Sequence, residues 1–408
     1  MIRRLLASAA VAAIIAAIAT MPVSGQGPSQ GSIAATAPQL VITAFNGGPA
    51  PSNWTPPKTP WGEPDLQGVW SSDDATFQVS RPANQQGLYL SDAEFAARQK
   101  QIAQGVVQAE QNAVGSFRGD FARRAFRQTS YIVDPPNGVM PQPTADARRR
   151  ARIGDRGTFG DGPFNTFDDF TNYDRCITRG IWGSVQRVIY GNGNRIVQAP
   201  GIVAITYEMI HDTRVIYTDG RPHINDGIRQ YLGDSRGWWD GDTLVVETRN
   251  LTDQTSIGAN GNGLRHSDKM VMVERIRRVA DDIVQYQLTV IDPVTYPTPF
   301  TMSIPLTPLD GGALLPYECH EGNGAVRNAL AGESAEERAL AEDLARGIYR
   351  PRRSPQEDGL GAGAFGGGPR FRRGSPEWMK QQARGGGPGP AGRAGGPPAP
   401  PAEGDQER

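Results

Sequence analysis

Val271-Met272-Val273-Glu274-Arg275-Ile276-Arg277-Arg278-Val279, then Ala280-Asp281-Asp282, then Ile283-Val284-Gln285-Tyr286-Gln287-Leu288-Thr289-Val290-Ile291 is the stretch that decides the fold. In its second half Val284, Tyr286, Leu288 and Val290 alternate with Gln285, Gln287 and Thr289. That period of two belongs to a strand with one face in a core and one face wet, and the short polar break folds two such strands into an antiparallel hairpin. Upstream, Trp238-Trp239 and Leu244-Val245-Val246 flank Asp240-Gly241, and Ile202 to Ile210 and Arg214 to Tyr217 flank His211 to Thr213. Ile189-Tyr190 and Ile196-Val197 flank Asn192-Gly193, a dipeptide that favours a tight hairpin turn. Downstream, Phe300 to Leu306 and Leu314 to Cys319 read as two further strands.

A first strand is expected at Leu66 to Trp70, where Gly68 stands two residues before Trp70. This Gly-x-Trp at a first strand resembles the start of lipocalin-type barrels, in which the glycine permits close backbone approach and the tryptophan plugs the closed end. No helical stretch separates consecutive strands, as a parallel sheet would require. The expected fold is therefore mostly β: an antiparallel lipocalin-like barrel or strongly curved sheet of about ten strands, with a few flanking helices. Ser91-Asp92-Ala93-Glu94 is a capping box that starts one helix. Others are expected over Thr144 to Arg152 and Ser334 to Arg346.

Residues 1–25 read as a secretory signal: Arg3-Arg4, then an uncharged run from Leu5 to Thr20, then small residues up to Gly25. The run is 16 residues long, short of the span of a bilayer, so no stable membrane span is expected in the mature form. Residues 26–60 are rich in Pro, Gly, Ser and Ala and read as a flexible linker. Of the last 50 residues 23 are Gly or Pro, which cannot build a core, so 351–408 reads as a disordered tail. Residues 61–350 remain as a single β-rich domain, in a periplasmic or secreted protein.

The net charge of −1 and the absence of a basic stripe argue against nucleic acid as a partner. Two cysteines in an exported chain, Cys176 and Cys319, are expected to form a disulfide. The sequence contains no Walker loop, dinucleotide fingerprint, Gly-x-Ser-x-Gly elbow or His-Glu-x-x-His. Chemistry is left to four histidines and to Arg and carboxylates near strand ends. If strands alternate in direction from Ile202, His223, His266 and His320 collect at one end and His211 at the other. His223, His266 and His320 are then candidates for acid/base work, with Asp234 as an orienting carboxylate, or for holding zinc; otherwise they serve loop structure. No cofactor is predicted beyond that. Arg221 and Arg236 can clamp an anion or pair with Asp219 and Asp234. Trp238 and Trp239 face opposite ways, one into the core and one available to a pocket. Glu208 and His211, three apart on a strand, fall on opposite faces and form a weaker ligand-binding pair.

Several runs stand out together: Pro60-Trp61-Gly62-Glu63-Pro64-Asp65-Leu66-Gln67-Gly68-Val69-Trp70, Asp219-Gly220-Arg221-Pro222-His223, Gly241-Asp242-Thr243-Leu244-Val245-Val246-Glu247-Thr248 and Tyr317-Glu318-Cys319-His320-Glu321-Gly322-Asn323. The combination resembles a large family of exported bacterial proteins, abundant in acidobacteria, with no established activity. The resemblance covers about Trp61 to Arg346; it implies export and one domain and carries no catalytic residue across. The sequence thus leads to an extracytoplasmic barrel that binds a small, partly apolar ligand with an anionic or polar group. The alternative is a secreted lyase, isomerase or hydrolase using histidine acid/base chemistry, metal-assisted or not.

Overall fold

The computed structural model describes residues 32–350, apart from 50, 52, 112–121, 151–163, 189, 262 and 310. The segment 1–25, read as a secretory signal, and the tail 351–408 lie outside the described residues. Ten strands form one sheet: β1 (Gly68–Ser71), β2 (Ile132–Asp134), β3 (Gly193–Ala199), β4 (Ile202–Tyr207), β5 (Thr213–Tyr217), β6 (Asp234–Asp240), β7 (Thr243–Arg249), β8 (Val271–Ala280), β9 (Ile283–Ile291) and β10 (Phe300–Pro308). β1 pairs with both β3 and β10, so nine strands close into a barrel. β2 lies on β10 as an extra strand: β10 pairs β2 through Thr301 and Met302, and β1 through Thr307 and Pro308.

The hairpins at Asp240-Gly241 and Ala280 to Asp282 form as the alternation predicts. Gly68, at φ +147, lies against the indole of Trp70, where a Cβ would come within 3.1 Å of the ring. Trp70 Nε1 donates to the Leu66 carbonyl (2.9 Å), so the indole folds back over Gly68, with Arg278 over its ring. The Asn192-Gly193 hairpin does not form. Gly193 opens β3, and the Asn192 side chain is drawn instead to Val188 and Asp73. Nor is Leu314 to Cys319 a strand; it is an irregular segment docked on the barrel end.

One pair is not antiparallel. β5 and β6 run parallel, joined by only two residue pairs, Ile216↔Ser235 and Tyr217↔Arg236, after the crossover 218–233. This overturns strict up-and-down alternation, and from β6 onward every strand end is exchanged. The long loop that ends at His266 therefore shares an end with His211, here called the upper end. The turns at Asp240-Gly241 and Ala280 to Asp282 lie at the lower end with Ala199 to Ile202.

Inward positions form one continuous core that includes Ile196, Ile205, Ile216, Leu244, Val246, Met272, Ile276, Leu288, Met302 and Ile304. The upper end is closed by the helix Gly180–Val185, which buries Trp182 edge-on to Phe300 at 5.8 Å. Inside this core Arg214 of β5 reaches across to Glu274 of β8, with Nη2–Oε1 at 2.6 Å, and Tyr286 of β9 also donates to Glu274. Both charged side chains are almost entirely removed from solvent.

The outer face of β7 to β10 is not wet. Gln285, Gln287 and Thr289 are fully buried. Their cover includes residues 32–45, which the composition assigns to a flexible linker. Gln287 accepts from Val41 N (2.8 Å), Gln285 accepts from Thr43 N (2.9 Å), and Glu247 accepts from Ser32 Oγ (2.7 Å) and Ile33 N (2.8 Å). Ala34 and Ala37 pack on Trp238, Val245 and Val273.

The helices are Asp92–Gln111, Ala145–Arg150, Gly180–Val185 and Ala325–Ala345. The first starts with the expected capping box: Glu94 accepts from Ser91 N (2.9 Å) and Glu94 N meets Ser91 Oγ at 3.4 Å. The last begins nine residues before the expected Ser334, because Gly324 and not Ser334 caps it, with Asn328 N bonded to the Gly324 carbonyl. The described residues up to Gly332 form one compact unit, and those from Glu333 belong to a second, in which Arg350 pairs with Glu336 and Asp343. Among the described residues no helix is long and apolar enough to cross a membrane.

Removing one member of a buried ion pair strands the other charge. Glu274→Ala should cost about 3–5 kcal/mol in urea unfolding. The double change Arg214→Met with Glu274→Leu should cost much less, and equal losses would show that the pair itself is net stabilising.

Candidate functional site

The predicted residues form two clusters, with His266 and His320 outside both. On the outer face of β5 to β7, His223 Nδ1 lies 2.8 Å from Asp234 Oδ2 and its Nε2 faces Glu247 Oε1 at 3.5 Å. Arg236 pairs with Asp234 (2.7 Å) and donates through Nε to the Pro222 carbonyl (2.8 Å). Arg221 forks onto Asp219, with Nε–Oδ2 at 2.9 Å, and stacks over Tyr217 at 3.9 Å. Both arginines thus fix the crossover. Trp238 lies beneath the 32–45 segment, and Trp239 turns inward against the core.

Glu247 holds this cluster together. Burial pushes its pKa up, but hydrogen bonds from His223, Ser32 and Ile33 and the nearby Arg249 guanidinium outweigh that and bring it down from 4.5 to about 2. A carboxylate with a depressed folded-state pKa stabilises above its unfolded pKa, and the contribution is lost as pH falls through the folded value. Hydrogen exchange at Ile33 and Ala34 should therefore accelerate as pH drops from about 4.5 towards 2 relative to intrinsic rates. In Glu247→Gln that acid dependence should vanish, and a persistent one would place the controlling group elsewhere.

His266 stands apart. Its ring is buried, Nδ1 donates to the Ser267 carbonyl (2.9 Å), and Nε2 accepts from Thr255 Oγ1. Burial lowers its pKa, which keeps it neutral and structural. His320 is exposed beside Cys319. The three histidines proposed as a zinc or acid/base set therefore do not converge. Among the described residues no group of three or more His, Cys, Asp or Glu is arranged to hold a metal ion.

The second cluster lies at the upper end. β4 stops at Tyr207, and the chain turns through Ile210 and His211, both left-handed at φ +66 and +58. For a β-branched residue this is a strained backbone. The turn puts Glu208 and His211 on the same segment, where strand geometry predicted opposite faces. Glu208 accepts from Gly193 N (3.0 Å) and Leu315 N (3.1 Å), and His211 Nε2 accepts from Tyr317 N (2.8 Å). The segment so held is tied by the disulfide Cys176–Cys319, which closes 143 residues.

The docked segment carries Tyr317 towards Tyr173, Tyr190 and Arg179. The Tyr173 and Tyr190 hydroxyls are 3.5 Å apart, and the Tyr190 and Tyr317 rings 6.3 Å. Arg179 precedes the helix Gly180–Val185 and is 1% exposed. Its Nη1 donates to the Gly191 carbonyl (3.0 Å), while Nε and Nη2 have no hydrogen-bond partner. Those two nitrogens form one edge of the guanidinium, with parallel N–H bonds. Burial lowers its pKa to about 10 despite the surrounding tyrosines and Glu208. The phenols of Tyr173 and Tyr317 are pushed up, first by burial.

Tyr173 and Arg179 lie in a half of the chain that shows no site signal in sequence. Tyr317 falls in a standout run but without a role, and Tyr190 reads as a strand residue. No spacing links the four, which are joined by the disulfide and the docked segment. No family model, curated protein or solved structure matches the chain.

Proposed function

We propose that this is an exported binding protein for a small, partly apolar ligand that carries an anionic group, and that the anion seats on Arg179. The free Nε–Nη2 edge of this buried guanidinium carries the reading. A buried charged donor left without partners costs several kcal/mol, so the native state gains from an anion that supplies two acceptors. A carboxylate offers two oxygens in the geometry of that edge. The rings of Tyr190 and Tyr317 and the side chain of Leu315, 70% exposed and two residues before Tyr317, offer apolar contact to the rest of the ligand. The signal-like start and the disulfide support a periplasmic or secreted location. The barrel interior is filled by core side chains, which favours a seat at the barrel end over one inside.

Acid/base catalysis by histidine has less support. Both nitrogens of His223 face carboxylates, both nitrogens of His266 are engaged, and His320 stands in solvent.

The test uses formate, acetate, benzoate and inorganic phosphate as probes, read by melting temperature and tyrosine difference absorption. At least one carboxylate should raise the melting temperature in a saturable way, and benzamide, the neutral counterpart of benzoate, should not. Arg179→Gln should abolish the response. Loss of all response in the parent protein, or an undiminished one in Arg179→Gln, would remove this reading.

A further inference from the structure

An anion on Arg179 leaves the chemistry of the three surrounding phenols unused. Tyr173, Tyr190 and Tyr317 come from three separate stretches of chain, yet they cluster at the upper end beside Arg179. Tyr173 and Tyr190 oxygens are 3.5 Å apart, the Tyr317 ring lies 6.3 Å from that of Tyr190, and the Tyr317 hydroxyl is near enough to act electrostatically on both. Phenol oxygens turned towards one another beside a buried cation make an uneconomical apolar core, but they are the donor set of a hard metal ion. We infer that Tyr173, Tyr190 and Tyr317 form one face of a binding site for a hard trivalent cation, ferric iron above all, with the anion on Arg179 completing its shell.

Three features carry this. The first is donor type: phenolate oxygen is a hard anionic ligand, and hard cations choose oxygen over nitrogen and sulfur. The second is spacing. An octahedral shell with oxygens about 2.1 Å from a small cation sets neighbouring oxygens about 3 Å apart. The 3.5 Å between Tyr173 and Tyr190 is half an ångström wider, within the reach of small side-chain rotations. The third is charge. Three phenolates neutralise a trivalent ion, and a monoanion neutralises Arg179, so the filled site buries no net charge. Binding forms three oxygen–metal bonds, breaks three O–H bonds and releases three protons, with no change of oxidation state. Because binding releases protons, uptake should weaken as pH falls.

Glu208 and His211 are positioning residues here. Their acceptor atoms are taken by the backbone N–H groups of Gly193, Leu315 and Tyr317, and so they hold the segment that delivers Tyr317. The inference shares one ligand, the anion on Arg179, with the function proposed above, but its three-phenol face stands on its own geometry.

The experiment loads the purified, disulfide-intact protein with ferric nitrilotriacetate in bicarbonate buffer, removes excess reagent, and measures bound iron and visible absorption. A phenolate–iron charge-transfer band appears only if tyrosinate binds the metal. The expected result is one ferric ion per chain with this band, and phenolate ring modes in resonance Raman spectra excited within it. Tyr173→Phe and Tyr317→Phe should each lower the affinity about tenfold or more and shift or abolish the band. Arg179→Gln should keep the band and require more bicarbonate. Iron-free protein that retains no iron, or retains it without phenolate Raman modes, overturns the inference on the parent protein alone. A band unchanged in both tyrosine variants also overturns it. The carboxylate titration of iron-free protein reports on the anion seat separately, so the two readings fail independently.

Discussion

The structure depends on a contact that crosses the barrel. β5 is joined to β6 by two parallel residue pairs, as few as join β1 to β10, whereas the flanking pairings β4–β5 and β6–β7 have five and seven. Arg214 on β5 bypasses the seam. Its guanidinium reaches Glu274 on β8, and its Nη1 lies 3.4 Å from Thr248 on β7, which also bonds Ser235 on β6 (2.9 Å). A polar chain thus ties the strands on either side of the weak pairing. Such a pair adds little stability over a hydrophobic replacement, but a barrel lacking a ladder at one seam gains register from a contact that only one geometry satisfies.

The same seam marks the limit of what the sequence reveals. Strand type was legible wherever a period of two was bounded by turn residues, as at Trp238 to Val246 and Met270 to Ile291. Direction was not. A tight turn forces reversal, but the 16 residues between Tyr217 and Asp234 can return the chain either way along the sheet. Alternation was the wrong choice there, and one parallel pair moved His266 to the end that holds His211. The Asn192-Gly193 turn failed for a local reason: Asn192 has better partners in Val188 and Asp73 than a hairpin would give it.

Burial on the outer face misled in the other direction. Gln285, Gln287 and Thr289 are polar and alternate with apolar residues, which ordinarily marks a wet face. Thr289 pairs with Thr301 on β10 (2.9 Å), and the amides of Gln285 and Gln287 are the acceptors and donors for an extended segment with few apolar groups of its own. Pro38 and Gln39 offer carbonyls to Gln287, and Val41 and Thr43 offer N–H groups to Gln287 and Gln285. A Pro- and Ala-rich stretch has no periodicity of its own, so its order is encoded in the strands it covers.

The upper end was the least legible part and concentrates the costs. Two consecutive left-handed residues, one of them isoleucine, cost about 1–3 kcal/mol each. Arg179 buries a charge with an unused edge, and Asp212 nearby in sequence is a largely buried carboxylate whose pKa burial raises and whose Oδ2 has no partner. A fold does not keep such features together for stability, because replacing them with apolar groups would be cheaper. They sit where a disulfide closes a long loop and removes much of the unfolded chain's freedom, which offsets local strain. The disulfide also fixes Tyr317 against residues more than a hundred positions away. Covalent closure at this end therefore makes a polar, strained and incompletely paired arrangement tolerable, and that is the condition for holding a ligand that completes it.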